Sequence, residues 1–190
     1  MSINVAGKYS AAPAKAYSIV WNTVFVIAGS MFIAICAHIA VPLPFSPVPM
    51  TLQPFAVILM GMMLGPVAGS AAAAAYLFEG LAGAPVFTTH GPGGLLQLLG
   101  PTGGYLMSYP FAAAIAGALF ACRRTFFAGA LAGTAAMALV FLSGAVWFAT
   151  LTHAPAHAVW IASVAPFLPG EVVKICAAAG IASALPNFRN

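Results

Sequence analysis

The stretch PFLPGEVVKICAAAG, residues 166–180, places a carboxylate and an amine, Glu171 and Lys174, at the head of an apolar, alanine-rich run. Charge is scarce elsewhere: the 190 residues include two acids and six Lys or Arg. Read as a helix, the stretch puts both groups on one face, because residues three apart are neighbours on a helix surface. If the helix starts near Pro166, they lie roughly 7 and 12 Å along it at 1.5 Å per residue. A charge that deep in a membrane span costs about 2.5–3.5 kcal/mol on insertion scales. Such residues face the bundle interior and mark a binding site or an ion path. The competing reading is a self-contained ion pair near the interface, with the lysine stem reaching toward water.

The surrounding sequence makes this a membrane span. The chain is 63% apolar and 4% charged, with a mean hydropathy of +1.04. A soluble domain is roughly a quarter charged. The apolar residues come in long blocks punctuated by Gly and Pro, the pattern of a polytopic membrane protein. In lipid the backbone satisfies its own hydrogen bonds, so spans are helices or a closed barrel. These blocks do not alternate with period two, which disfavours a barrel. The expectation is an all-α integral membrane protein of about six transmembrane helices, at about residues 18–41, 50–65, 66–83, 102–122, 125–151 and 166–186. The first run is longer than the apolar core of a signal peptide and more spans follow it, so it is expected to remain as a span.

Positive charge tests the count. Lys8 and Lys15 precede the first span, Arg123 and Arg124 fill the turn between the fourth and fifth, and Arg189 follows the last. Six spans put all five on one side, the cytoplasm by the positive-inside rule, with both termini there. A seventh span at 155–165 would move Arg189 across, so that segment reads as a short external helix or loop. The chain is then a single transmembrane domain over 1–190, with a polar segment at 1–17 and external loops at 84–101 and 152–165. The external connections, PLPFSPVP (42–49) among them, are long beside cytoplasmic turns such as LGPV (64–67), and elaborate loops carry function more often than tight turns. Small-residue runs such as GALAGTAAMA (129–138) let helices approach closely.

Several function classes are excluded. The net charge of +4 sits at chain ends and one turn, so nucleic acid is not an expected partner. Three cysteines make neither a disulfide framework nor a zinc spacing. His153 and His157 are four apart, but Pro155 intervenes and no carboxylate is near, so no metal is expected. A Walker A ending is absent. No nucleophile–base pair and no usable pair of acids points to an enzyme, and no cofactor is expected.

Other residues with ligand-binding chemistry cluster near the external side. Glu79 follows Tyr76 near the end of the third span, as a partner for Lys174, a ligand acceptor or an exposed rim group. GPTGGY (100–105) opens the fourth span. Gly103 and Gly104 allow close backbone approach, and the helix start offers free amides to an anion or carbonyl; a plain tight turn is the alternative. Thr51 and Gln53 in VPMTLQPF (48–55), and Gln97 in GGLLQLLG (93–100), either line a cavity or cap their helices.

Together VPMTLQPFAVILMGMMLGP (48–66), YLFEGLAGAPVF (76–87), GPGGLLQLLGPTGGYLMSYPFAA (91–113) and PFLPGEVVKI (166–175) resemble the BioY family. These are the biotin-binding S components of energy-coupling factor (ECF) vitamin transporters. The resemblance covers about residues 20–186 in the family's order. It implies the S-component fold, a vitamin site near the outer face of a bacterial inner membrane, and partnership with a transmembrane coupling subunit and two cytoplasmic ATPases that hydrolyse the ATP. The family's last-span motif pairs an acid with a lysine three residues on; here these are Glu171, where Asp is commoner, and Lys174. Glu171 is implied to accept from the ureido N–H groups of biotin, and Lys174 to donate to the ureido carbonyl or to the carboxylate tail. Phe87, Tyr76 and Tyr105 are implied apolar walls. Where S components often carry an AxxxA docking surface on the first helix, this chain has Ser30/Ala34 and Cys36/Ala40. An S component for another small vitamin or cofactor precursor is the alternative, and a purely structural membrane protein leaves Glu171 and Lys174 unexplained.

Overall fold

The computed structural model describes residues 12–44 and 46–185, with side chains from Val20 onward. Lys8, Arg189, the side chain of Lys15 and most of the expected polar segment 1–17 lie outside the described residues. Seven α-helices follow in order, with one hairpin inserted after the first: α1 Ala12–His38, β1 Ala40–Leu43, β2 Ser46–Thr51, α2 Gln53–Leu81, α3 Gly94–Leu99, α4 Gly103–Cys122, α5 Phe126–Thr152, α6 Ala156–Ser163 and α7 Leu168–Ala184.

α2 is two helical limbs. Gly65 leaves helical geometry at φ 80° and ψ 176°, a region essentially reserved for glycine. Pro66 then opens the second limb, where its missing N–H costs nothing. The expected break between the second and third spans therefore falls at this Gly-Pro pair. Among the described residues, five helical segments are long and apolar enough to cross a membrane. With α2 divided, the bilayer is crossed about six times.

Lipid exposure follows from what the helices show outside. Phe127 is 80% exposed, Val67 76% and Leu131 73%. Water would penalise such surfaces at roughly 25 cal/mol per Å2, whereas hydrocarbon does not. The interior is filled with small residues, Ala72, Ala112, Ala116, Ala132 and Ala178 among those with no exposure. α2 packs along α1 and α4, α4 along α5, α5 along α7, and α7 returns to α2. The α2–α4 approach requires glycine: a Cβ on Gly61 would stand 2.3 Å from the Ala113 carbonyl oxygen, and one on Gly117 2.5 Å from the Gly61 oxygen.

The hairpin departs from expectation. The first span ends at His38 rather than near 41, and the second starts at Gln53 rather than near 50. Pro42, Pro44, Pro47 and Pro49 forbid helix between them. A two-stranded ladder asks each strand for hydrogen bonds on one edge only, so it tolerates prolines. Ala40 pairs with Thr51 and Val41 with Met50, and an irregularity follows before Leu43 pairs with Ser46.

The first limb of α2, residues 53–64, is only ~18 Å long at 1.5 Å per residue, against about 30 Å of hydrocarbon. A limb of that length does not cross the hydrocarbon alone, and the hairpin continues from its Gln53 end. The hairpin, the 82–102 connection with α3, and the 153–167 connection with α6 all lie at one end of the bundle. The Gly65 turn and Arg123–Arg124 lie at the other. The segment expected to be a short external helix at 155–165 is α6, joined to α7 by a 3-10 turn at Ala165–Phe167.

Candidate functional site

At the loop-rich end a cavity of about 560 Å3, its open mouth included, lies between the hairpin, α4, α5 and α7. Its walls are mostly apolar. α4 contributes Tyr105, Leu106 and Tyr109, and α5 contributes Met137, Val140 and Phe141, spacings of i, i+1, i+4 and i, i+3, i+4 that each fall on one helix face. Val48, Pro49 and Pro54 come from the hairpin and the start of α2, and Phe87 and Phe167 from the connections. The polar groups on its surface are those of Thr51, Gln53, Thr88, Gln97, Thr102, Glu171 and the two tyrosines.

Glu171 and Lys174 face inward, 4% and 9% exposed. Glu171 sits in the first turn of α7, where the positive end of the helix dipole favours a carboxylate. Lys174 Nζ donates to Glu171 Oε1 at 2.6 Å and to the Thr51 carbonyl oxygen at 2.5 Å. The lysine thus ties α7 to the end of β2 and does not itself line the cavity. Glu171 does, and its Oε2 is buried with no hydrogen-bond partner. The pair is a mutual ion pair, as one sequence reading had it, yet it lies inside the bundle, as the other required.

Thr51 carries the network further. Its hydroxyl donates to Gln53 Oε1 at 3.0 Å, and Gln53 Nε2 donates to the Tyr76 hydroxyl. Tyr76 is fully buried behind the cavity wall and meets Phe87 edge to face, ring centroids 5.4 Å apart. Such pairs add about 0.5–1.5 kcal/mol beyond area burial. A second polar cluster is separate from the first among the described residues. Gln97 Nε2 donates to Thr102 Oγ1 at 2.6 Å, and Gln97 Oε1 is buried and unpartnered.

The roof is pinned by hydrogen bonds to backbone. Ser46 Oγ donates to the Ala162 oxygen at 2.6 Å, joining the hairpin to α6. Tyr105 donates its hydroxyl to the Ser163 oxygen at 2.6 Å. Trp147 Nε1 donates to the Gly100 oxygen at 2.9 Å.

Of the candidate residues, the structure brings Thr51, Gln53, Phe87, Gln97, Tyr105 and Glu171 to the cavity surface, with Lys174 and Tyr76 directly behind. Glu79 is elsewhere: its Oε2 accepts from Ser30 Oγ at 2.6 Å, joining α1 to α2. Gly103 and Gly104 are taken up by packing, since a Cβ would stand 1.8 Å from the Leu98 oxygen and 2.3 Å from Trp147 Cβ. Ser30 and Cys36 are buried toward the bundle rather than displayed on α1, and His153 and His157 are exposed outside the cavity. Sequence reasoning missed Thr88, Thr102, Tyr109, Phe167 and the α5 wall. The spacings Tyr105/Tyr109 and Met137/Val140/Phe141 were the available signal.

The fold and cavity define a polytopic membrane protein built to enclose a small molecule near one face. The sequence profile of the BioY family matches residues 9–190, and the chain belongs to that family. It is 34% identical over 157 residues to "Probable biotin transporter BioY" of Pyrococcus horikoshii, covering 82% of this chain and 92% of that one. It is 35% identical over 148 residues to "Biotin transporter BioY" of Thermotoga maritima, covering 78% and 86%. Its structure matches a crystal structure of the S-component for biotin from an ECF-type ABC transporter, with a TM-score of 0.82 at 25% identity over 90% of this chain and 95% of that one.

Proposed function

We propose that this chain is a biotin-binding S component of an ECF-type uptake transporter, a transport subunit and not an enzyme. Family membership and the names of its relatives support the ligand. The observation that carries the site is Glu171, a cavity-lining residue whose Oε2 is buried and lacks a donor. A ureido N–H of biotin supplies one. Lys174, with Nζ committed to Glu171 and Thr51, acts by holding the carboxylate in place rather than by touching the ligand. Gln53 and Thr51 line the same end, and Tyr105, Tyr109 and Phe87 wall the thioether ring.

Arg123 and Arg124, at the end away from the cavity, mark that end as cytoplasmic by the positive-inside rule. The cavity then opens at the outer face of the cell membrane and both termini lie inside. Delivery inward calls for a transmembrane coupling subunit and two cytoplasmic ATPase subunits.

Nanomolar binding requires roughly −12 kcal/mol. Spread over about 16 non-hydrogen ligand atoms, that is about −0.8 kcal/mol each, which needs near-complete enclosure. Calorimetry with biotin and the detergent-purified chain is the test. Tight one-to-one binding is expected, and well-folded protein that gives no binding rejects the assignment.

A further inference from the structure

Biotin has a carboxylate at one end, and among the described residues no cation lines the cavity to meet it. Glu171 is the lone formally charged group on its surface, and that charge is already matched by Lys174 behind it. A ligand carboxylate placed beside Glu171 would face a like charge, so the tail belongs at the other polar cluster, Thr88, Gln97 and Thr102. His90 lies two residues from Thr88 but is exposed and off the cavity surface. Resting on the biotin reading above, we infer that this site holds the ligand tail through neutral groups alone, and so accepts biotin derivatives whose tail is uncharged, such as the primary amide.

The Gln97 side chain fits either kind of tail. As placed, Nε2 is held by Thr102 Oγ1 and Oε1 lacks a donor. That arrangement suits a tail carrying N–H, as a carboxamide does. Turned by 180° about its last torsion, the amide exchanges its two ends. Thr102 then donates its hydroxyl to Oε1, giving up a bond of 3.3 Å to the Gln97 backbone oxygen, and Nε2 becomes the unpartnered end, packed beside Gly91, a donor for a carboxylate that reaches it. A hydroxyl donates or accepts as needed, which makes the exchange possible. Thr88 accepts a long bond of 3.4 Å from the His90 amide, and its hydroxyl hydrogen has no acceptor among the described residues. It is a second neutral donor for the tail.

The test is competition between labelled biotin and biotin or biotinamide on the purified chain and on Gln97→Glu. Losing the ligand's half of a buried charge pair costs at least about thirtyfold in affinity. A deficit of biotinamide smaller than that is expected and upholds the inference, while a larger one overturns it, most directly if His90→Ala abolishes the difference. Gln97→Glu is expected to weaken biotin about tenfold more than biotinamide, because it sets a carboxylate against the tail carboxylate. Equal weakening of both ligands places the tail elsewhere and overturns the inference. If Gln97→Glu does not fold, Gln97→Lys serves in reverse: biotin should gain on biotinamide, and an unchanged ratio refutes. Folded wild-type protein that binds neither ligand instead rejects the biotin reading itself.

Discussion

Neutralising the Glu171–Lys174 pair in steps separates its binding role from its structural one. Lys174→Met keeps the stem and removes the charge, stranding Glu171, 4% exposed, without its ion partner. Removing one member of a buried pair costs about 3–5 kcal/mol. For a chain of this length, that lowers the melting temperature by roughly 6–20 °C at about 2–4 °C per kcal/mol. Glu171→Gln combined with Lys174→Met removes both charges. Stability should then return to within about 1–3 kcal/mol of the parent, the residue being the Thr51 carbonyl oxygen that loses its donor. Affinity should not return with it. A hydrogen bond to a charged acceptor is worth about 1.5–3 kcal/mol and one to a neutral acceptor about 0.5–1.5. The ureido N–H therefore loses about 1–1.5 kcal/mol, roughly tenfold in Kd. Thermal melts and biotin calorimetry on the four proteins of this cycle give both quantities. A double variant that binds biotin as tightly as the parent would refute the assignment of Glu171.

Three further outcomes follow from the surrounding geometry. Ser46→Ala cuts the bond from the hairpin to the Ala162 oxygen; the ligand's dissociation rate, followed by stopped flow, should rise about 2- to 10-fold for the loss of a bond worth about 0.5–1.5 kcal/mol, and an unchanged rate shows that this tether of the roof does not hold the ligand in. Tyr76→Phe leaves Gln53 Nε2 buried without its acceptor, so thermal unfolding should show a loss of about 1–3 kcal/mol. Gly61→Ala forces a Cβ to within 2.3 Å of the Ala113 oxygen; α2 and α4 must separate, costing about 1–3 kcal/mol, whereas Gly180→Ala, with open space around it, should melt like the parent.

The helices were legible because hydrocarbon imposes long apolar runs, and the Gly65–Pro66 break because that dipeptide has few other uses. α6 was separable from α7 through charge counting, since a seventh span would have put Arg189 on the wrong side. The hairpin was not legible: its four prolines read as loop, and only pairing of 40–43 with 46–51 reveals that each strand can spare the lost donors on its free edge. The charged end of the cavity was legible for a related reason, since Glu171 and Lys174 are expensive in lipid. The apolar walls were not. In a chain that is 63% apolar, Tyr109, Met137 and Phe141 carry no contrast with their neighbours, and only the packing of α4 against α5 and α7 turns them toward a common space. Gly103 and Gly104 illustrate an ambiguity: room for a ligand and room for Trp147 call for the same residue.

The placement of the ion pair also bears on how a charge-poor protein gains affinity. Bringing Glu171 out of water is a cost of several kcal/mol, and folding, not the ligand, meets it, because Lys174 and the first turn of α7 hold the carboxylate in place. One oxygen remains without a donor. A ligand N–H arriving there gains a charge-assisted bond without having to desolvate or order the acceptor, and little of its binding energy is spent on preparation. The same arrangement keeps the cavity close to neutral, since the Glu171 charge is matched by Lys174. A lone aspartate or glutamate would not serve: without its lysine it would be protonated or drawn toward water, and in either state it would lose the acceptor strength that the proposed contact with a ureido N–H calls for.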